Sequence, residues 1–280
     1  MQKVKTVNEA KDVGVIVVTY NPNMEDFKKN IKRIIDLHYS ILIIDNGSNK
    51  QLKDFLGQIS TNTNLNVVFL QKNRGIGCAQ NVGINYFMQK NVNYLLFMDQ
   101  DSFIDRENLL KLKNILEELR AKDKKCIAVG PAQENEFLEN NVEETSWLIS
   151  SGSLIAKETF KKIGNFKEEF FIDYIDYEWI WRAKKLGYKV YKTRLAHMQH
   201  ETMGVQRKYG HTIDPEFRLY YIFRNSIYLT LYEKIDWKIK ENLVIKNSGK
   251  LLFQVLLPNR KSRLKTCWYG IRDGIRKKLN

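Results

Sequence analysis

An α/β fold, with a mostly parallel central sheet flanked by helices and a helical C-terminal extension, is what this sequence predicts, on three observations. Short apolar runs recur, VGVIVVT at 13–19, ILII at 41–44 and YLLFM at 94–98, each too short for a buried helix. Unbroken apolarity of that kind marks strands buried on both faces, as in parallel sheets. Between the runs, apolar residues return at three- and four-residue steps, the spacing of helices that cover such a sheet. Each run also ends in polar residues, and in open α/β sheets ligands bind beyond the carboxyl ends of the strands.

Val13 to Thr19 is closed by the turn Tyr20-Asn21-Pro22. Phe27, Ile31, Ile34, Ile35 and His38 then predict an amphipathic helix over 23–37. The second strand ends in Asp45-Asn46-Gly47-Ser48. A helix over 50–59, a strand over 66–70, the turn Asn73-Arg74-Gly75-Ile76-Gly77 and a helix reaching 88 lead into the central strand, which stops at Asp99. Beyond Asp105, Leu109, Leu112, Leu116 and Leu119 predict a further helix, followed by a solvated charge run at 122–125 and a strand over 126–129 closed by Gly130-Pro131. Residues 133–144 are acidic and read as an irregular surface loop. Ser150-Ser151-Gly152-Ser153 interrupts a β-like run, where a glycine suits close approach of a ligand or of another backbone.

With 280 residues and 43% hydrophobic content the chain can bury a large core. Its three cysteines, Cys78, Cys126 and Cys267, show no ligand spacing, so neither a zinc site nor a disulfide framework is expected. The first twelve residues lack the apolar stretch of a signal peptide, and no apolar run approaches the roughly 18 residues of a membrane span. A cytoplasmic protein is therefore expected. The formal charge of +14 is concentrated: residues 234–280 hold 13 Lys and Arg against three acids. Such a patch seeks an anionic surface.

The chemistry begins at Asp99 and Asp101. Strand residues two apart share a face, so if the strand stays extended through Asp101 the two carboxylates converge. Their repulsion is relieved by a hard divalent cation, magnesium or manganese, which typically takes one or two protein carboxylates and completes its shell with substrate phosphates. A phosphorylated ligand is expected with the metal. A second acidic group, Asp173 and Asp176, stands at a helix start, where the helix dipole favours acids and where one of them can serve as general base for a hydroxyl. Arg218 and Arg224 lie near one face of a later helix and suit phosphate contacts. Leu264, Trp268, Ile271, Ile275 and Leu279 form an apolar stripe among Lys and Arg, the pattern of a helix lying in an anionic membrane surface.

Taken together, VVTYNP, IDNGS, NRGIGCAQNVGI, FMDQDS, ISSGSLI, FIDYIDYEWIWRAKKLGY, RLYYIFRNSIYL and YGIRDGIRKK resemble, in order and over nearly the whole chain, the family 2 inverting glycosyltransferases of the GT-A fold, most closely their bacterial rhamnosyltransferase-like branch. That resemblance implies a GT-A catalytic domain over 1–212, with a donor-binding half at about 1–102 and an acceptor half at about 103–212, and a basic amphipathic extension over 213–280. It implies a nucleotide-diphospho-sugar donor, with dTDP or UDP as the nucleotide, held by Thr19, Tyr20, Asn21, Asp45, Arg74, Gly75, Asp99 and Gln100. By the same match Tyr20 stacks on the base, Asp45 accepts its imide N–H, Arg74 lies near the base or diphosphate, Asp99 faces the ribose or the metal, and Asp101 holds the metal against the diphosphate. His200 completes the metal shell, with His197 in reserve.

Asp176 matches the general base, though Ile175 stands where the family more often has Glu. Asp173 and Glu178 are the competing acids. Asp173, Trp179, Arg218 and Arg224 are expected at the acceptor or phosphates. Acceptors in this group are often lipid-linked glycans, which gives a peripheral position on the inner membrane face a purpose. A dinucleotide-dependent oxidoreductase fits less well, because Gly75-x-Gly77 lacks the third glycine and follows the third strand. Nucleic acid is not expected as a partner, since the basic residues surround an apolar stripe rather than a nucleic-acid-binding fold.

Overall fold

The computed structural model describes residues 12–60, 64–133, 136–200 and 206–279. Strands β1 (Val13–Thr19), β2 (Ser40–Asp45), β3 (Leu65–Phe69) and β4 (Tyr94–Asp99) lie parallel in the order β3-β2-β1-β4. The chain therefore reverses its direction of growth between β1 and β4. β8 (Leu154–Ala156) joins β4 antiparallel and connects it to β6 (Cys126–Pro131), β9 (Lys189–Thr193) and the edge strand β7 (Val142–Thr145), completing eight strands.

Both faces of the parallel half are buried, as the unbroken apolar runs predict. Val13, Val15 and Val17 of β1 and Leu96 and Met98 of β4 enter one core with Phe27, Ile31 and Ile34 of α1 (Met24–Ile35). Alternate residues Ile16, Val18, Leu95 and Phe97 enter the other core with Ala79, Ile84 and Phe87 of α3 (Ile76–Met88). Period-two alternation thus divides one strand between two cores. The helix starts are encoded locally. Asn23 Oδ1 accepts from the Glu25 and Asp26 N–H groups at 3.0 and 3.3 Å, Asn49 Oδ1 from Leu52 N at 3.1 Å for α2 (Lys50–Ile59), and Asp105 Oδ1 from Asn108 N at 2.8 Å for α4 (Arg106–Lys122).

Two local expectations are corrected, and the central strand ends where expected. Residues 142–145 form the edge strand β7 instead of continuing an irregular loop, because a polar sequence suffices at a sheet edge. Gly130 and Pro131 lie inside β6, paired with Lys192 and Thr193, rather than closing it. The central strand stops at Asp99, and Gln100-Asp101 turns into β5 (Ser102–Phe103). Strand alternation therefore does not extend to Asp101.

α5 (Thr159–Ile163) and α6 (Ile175–Lys185) follow β8, and the C-terminal region is three helices, α7 (Glu216–Tyr232), α8 (Trp237–Val255) and α9 (Arg260–Ile275). α9 lies against α7 at glycine spacing: a Cβ on Gly270 would sit 2.4 Å from Tyr220 O and one on Gly274 2.6 Å from Arg224 O. Cys267 is buried with Leu219 and Phe223 on the same face. The two glycines thus set the closest approach of α9 to its neighbour. Leu229, Leu243 and Leu279 from this region join the core that contains α3. Among the described residues, no helix is long and apolar enough to cross a membrane.

Candidate active site

The strand register sets the rim. Thr19 stands opposite Asp45, Asp45 opposite Phe69 and Val18 opposite Asp99, so the ends of β1, β2, β3 and β4 are level. Gln100 Oε1 accepts from Thr19 Oγ1 at 3.1 Å and from the Tyr20 N–H at 2.8 Å, while the Gln100 carbonyl accepts from Asn30 Nδ2 at 3.0 Å. These bonds draw Gln100 across the gap between β1 and β4 and account for the turn after Asp99. Tyr20 is 43% exposed, leaving its ring available to stack. Asn21 has φ 43°, donates its N–H to Ser48 Oγ and accepts from the Asn49 N–H, each at 2.9 Å.

Asp45 is fully buried and accepts from the Ser48 N–H at 3.0 Å. Asn46, expected at the strand end with Asp45 but given no role there, ties the rim together: its Nδ2 donates to Asn73 Oδ1 and to the Gly75 carbonyl at 3.0 and 3.2 Å, and its Oδ1 accepts from the Arg74 N–H at 2.9 Å. The Arg74 guanidinium is half-exposed beside Glu168, 3.7 Å away.

Two consecutive serines tie the two acidic groups together. The Ser150 N–H donates to Asp176 Oδ2 at 3.1 Å, and Ser151 Oγ accepts from the Asp99 N–H at 3.1 Å. The second contact of Asp176, from the Tyr177 N–H to Oδ1, is 2.9 Å. Burial pushes the Asp176 carboxyl up to about 6, against the two backbone N–H bonds, and the negative charge of Asp99 adds to the rise. A carboxyl with that pKa is a competent general base near neutral pH. The break in the β-like run at Ser150-Ser151 was the sequence signal for this bridge; its partners could not be read from it. Gly152, with φ +79°, is filled against protein rather than ligand, since a Cβ there would lie 2.5 Å from Met198 Sδ.

Asp173 and Arg218 meet in the same cleft. Arg218 Nε donates to Asp173 Oδ2 at 3.2 Å, and the second guanidinium nitrogen binds Oδ1. Burial opposes the charge on Arg218, but Asp173, Asp214 and Asp99 together hold its pKa above the ordinary value. Asp173 is thus committed to a cation, which distinguishes it from Asp176. Glu178 is also committed, being 3% exposed and gripped by Arg182 at 3.0 and 2.9 Å.

Two expected ligand contacts are corrected. Trp179 is 1% exposed; its Nε1 donates to the Gly164 carbonyl at 2.8 Å and its ring packs on Phe160 and Phe166. Arg224 is 3% exposed, and its guanidinium donates to the carbonyls of Glu169, Phe170 and Leu279. Carbonyl oxygens occupy the donors that a phosphate would need.

The metal position is partly described. Asp99 is half-buried and Asp101 exposed, giving two hard oxygen donors at one turn. The backbone of β10 (Gln199–His200) pairs His200 with Ser102, next to Asp101, but the His200 imidazole lies outside the described residues. His197 is exposed, its N–H donating to Asn108 Oδ1 at 2.9 Å. Among the described residues no cluster of three or more His, Cys, Asp or Glu could hold a metal ion. The two carboxylates nevertheless fit magnesium or manganese, which take few protein ligands when phosphate oxygens complete the shell.

The exposed apolar surface of the C-terminal helices is larger than the expected stripe and lies elsewhere. Leu279 packs against the core, and Leu264 and Ile271 are half-buried, whereas Trp268 and Ile275 are exposed. α8 adds Trp237, Val244, Ile245, Leu252 and Val255, all exposed and on one side of that helix.

The model of the family described as Glycosyl transferase family 2 matches residues 14–207. The dTDP-rhamnosyl transferase RfbF of Shigella flexneri is 29% identical over 197 residues, covering 64% of this chain and 66% of that protein. The low-salt glycan biosynthesis hexosyltransferase Agl10 of Haloferax volcanii is 21% identical, covering 94% of this chain and 91% of its own. Among solved structures, S. aureus TarS 1-349 superposes with a TM-score of 0.57 at 15% identity, covering 96% of this chain and 82% of that one. GalNAc-T7 with UDP, GalNAc and Mn2+ superposes at 0.58 and 14%, covering 83% and 53%. The fold is that of the GT-A glycosyltransferases, with a mostly parallel sheet and C-terminal helices. The chain spans about two thirds of the Shigella relative's length and about half of the GalNAc-T7 chain.

Proposed function

The chain belongs to glycosyl transferase family 2, and from that premise we propose that it transfers L-rhamnose from dTDP-rhamnose, with inversion, to a hydroxyl of a lipid-linked glycan in bacterial surface polysaccharide synthesis. The observation that carries the mechanism is the Ser150-Ser151 bridge, which sets an acid of raised pKa beside Asp99. Asp176 takes the proton of the acceptor hydroxyl. The acceptor oxygen bonds to the anomeric carbon as the bond to the diphosphate breaks, and the nucleotide leaves with that electron pair. One displacement from the opposite face inverts the centre. Tyr20 stacks on the base, with Thr19, Asn21 and Gln100 shaping its seat, and Arg74 and Arg218 supply positive charge toward the diphosphate. Asp99 and Asp101 would hold magnesium or manganese, with His200 as the third side-chain ligand. When bound, that ion neutralises charge developing on the diphosphate. Gly75 lets its turn close against the Phe171 backbone, which seats Arg74 on the rim.

Support for rhamnose and dTDP comes from the name of the Shigella relative. A UDP-sugar donor, galactofuranose, glucose or N-acetylhexosamine, is the second reading, favoured by the TarS complexes with UDP-GlcNAc and UDP. Calorimetry with dTDP and UDP separates them. In manganese, dTDP is expected to bind at least about tenfold more tightly than UDP, with EDTA or Asp101→Ala weakening it by a similar factor. Tighter UDP binding moves the reading to the second donor class, and affinity indifferent to EDTA removes the metal from it.

The exposed apolar residues of α8 and α9, set among lysines and arginines, suit a peripheral position on the cytoplasmic face of an anionic membrane. Deleting residues 261–280 would unpack α7 as well, so the test is Trp237→Ser with Leu252→Ser and Trp268→Ser. Binding to phosphatidylglycerol vesicles is expected to fall at least about tenfold in this variant and to decline with salt. Unchanged sedimentation with vesicles would refute the docking face.

A further inference from the structure

We propose that Asn225 and Arg224 of α7 are positioning residues for Asp176, locking the backbone that precedes α6 so that the helix start aims its carboxylate into the cleft. This rests on Asp176 being the base. Phe171, Asp173 and Tyr174 all have left-handed backbones, with φ of 64°, 66° and 65°, although none is glycine. Tyr174 is also the N-cap of α6 and makes no side-chain cap bond. The local bonds are turn bonds, from Phe171 N–H to Glu168 O at 3.0 Å and from Ile172 N–H to Phe170 O at 2.7 Å, and no side chain caps the helix start.

The holding groups come from α7. Asn225 is fully buried, and its Nδ2 lies within 3.0 Å of the carbonyls of Phe170, Ile172 and Asp173. Its Oδ1 accepts from Arg224 Nε at 3.0 Å. Arg224 in turn donates to Glu169 O at 2.6 Å, Phe170 O at 3.1 Å and Leu279 O at 2.8 Å, joining the segment to the end of the described chain. One turn back, the Tyr221 ring stacks on Phe171 with centroids 4.8 Å apart, and Arg218 binds the Asp173 carboxylate. Successive turns of α7 therefore grip successive residues of the strained segment. The Ile76 N–H also donates to Phe171 O at 2.7 Å, tying the segment to the start of α3 as well as to α7. Phe171 and Asp173 use side chains for this grip, which explains why glycine does not occupy those positions.

The test uses the full chain with Asn225→Ala and, as a milder variant that keeps the charge, Arg224→Lys. Three quantities are measured: release of free sugar from dTDP-L-rhamnose in manganese, dTDP affinity by calorimetry, and amide exchange over residues 170–176. Both variants are expected to lose about 30- to 100-fold in turnover, the cost of a misplaced catalytic group, with dTDP affinity within about threefold of wild type. Amide exchange should rise about tenfold in 170–176 and stay unchanged in β1 and β4. Adding Tyr174→Gly to Asn225→Ala is expected to recover at least about fivefold of turnover, since glycine holds a left-handed backbone without external donors. Wild-type turnover with unchanged exchange overturns the proposal, as do parallel losses of turnover and dTDP affinity, which mark general unfolding. If the wild-type protein turns over no nucleotide sugar, the reaction fails as a reading and amide exchange alone decides: unchanged exchange at 170–176 in both variants defeats the lock, and a local rise upholds it.

Discussion

Asp176→Asn is expected to lower sugar transfer by about 10²- to 10⁴-fold, the usual contribution of a general base, while dTDP affinity stays within about threefold. The amide is isosteric with the carboxylate and keeps an acceptor for one of the N–H groups of Ser150 and Tyr177, while its NH2 faces the other donor to donor, at a cost of about 1–3 kcal/mol in stability that applies at every pH. Turnover close to wild type would remove Asp176 from its role. The raised pKa adds two signatures of opposite direction. A base works deprotonated, so the wild-type rate should fall by one proton's dependence below about pH 6. Stability should move the other way. Between about pH 6 and the ordinary carboxyl value the folded state binds a proton that the unfolded chain releases, so folding weakens as pH rises through that window. This amounts to about 2 kcal/mol, allowing for partial exposure of the residue. Thermal melts at pH 4.5 and 7.5 should show this difference in wild type and lose it in Asp176→Asn. Parallel melts in the two proteins would reject the assigned pKa.

Gly75→Ala is expected to damage folding and turnover together. Gly75 has φ 85° and ψ 162°, a region nearly closed to side chains, and a Cβ there would lie 2.4 Å from the Phe171 carbonyl oxygen. Relief requires the turn 73–75 to separate from the segment before α6. That movement breaks the bond from Ile76 N to Phe171 O and disturbs the Asn46 contact to the Gly75 carbonyl. The strain and lost bonds together are worth about 3 kcal/mol, with a fall in Tm of about 5 °C for a chain of 280 residues. The turn 73–75 and the segment before α6 meet at this contact, so under the proposed function dTDP affinity and turnover should both drop, unlike the Asn225 variants. A Tm within about two degrees of wild type would contradict the packing argument.

The rim of the site was legible because its determinants are local. β1, β2 and β4 announce themselves as apolar runs whose alternate residues enter two cores, and a strand buried on both faces can carry its polar residues only at its ends. Thr19, Asp45 and Asp99 were therefore readable as neighbours before any register was known. The turn at Gln100 was not readable, because it depends on bonds to Thr19, Tyr20 and Asn30, some seventy to eighty residues away. Arg224 and Trp179 show the same limit from another side. A guanidinium suits phosphates and carbonyls alike, and an indole suits a sugar or a core, so residue type left their partners open until burial decided them.

At the C-terminus, helical spacing marked a helix, found over Arg260–Ile275, but several apolar residues of the expected stripe face the protein. The closest contact of α9 is made by its glycines, whose lack of a side chain permits it.

By itself the sequence determined the parallel sheet, the order of its elements and the identity of the acids at its exits, since these follow from hydrophobic period and from which residues end each strand. Only the tertiary structure decided that Asp173 and Glu178 are paired with arginines while Asp176 accepts backbone N–H bonds, and that left-handed Phe171, Asp173 and Tyr174 lead into α6. Those dihedral angles run against local preference, and contacts from a helix some fifty residues downstream make them stable.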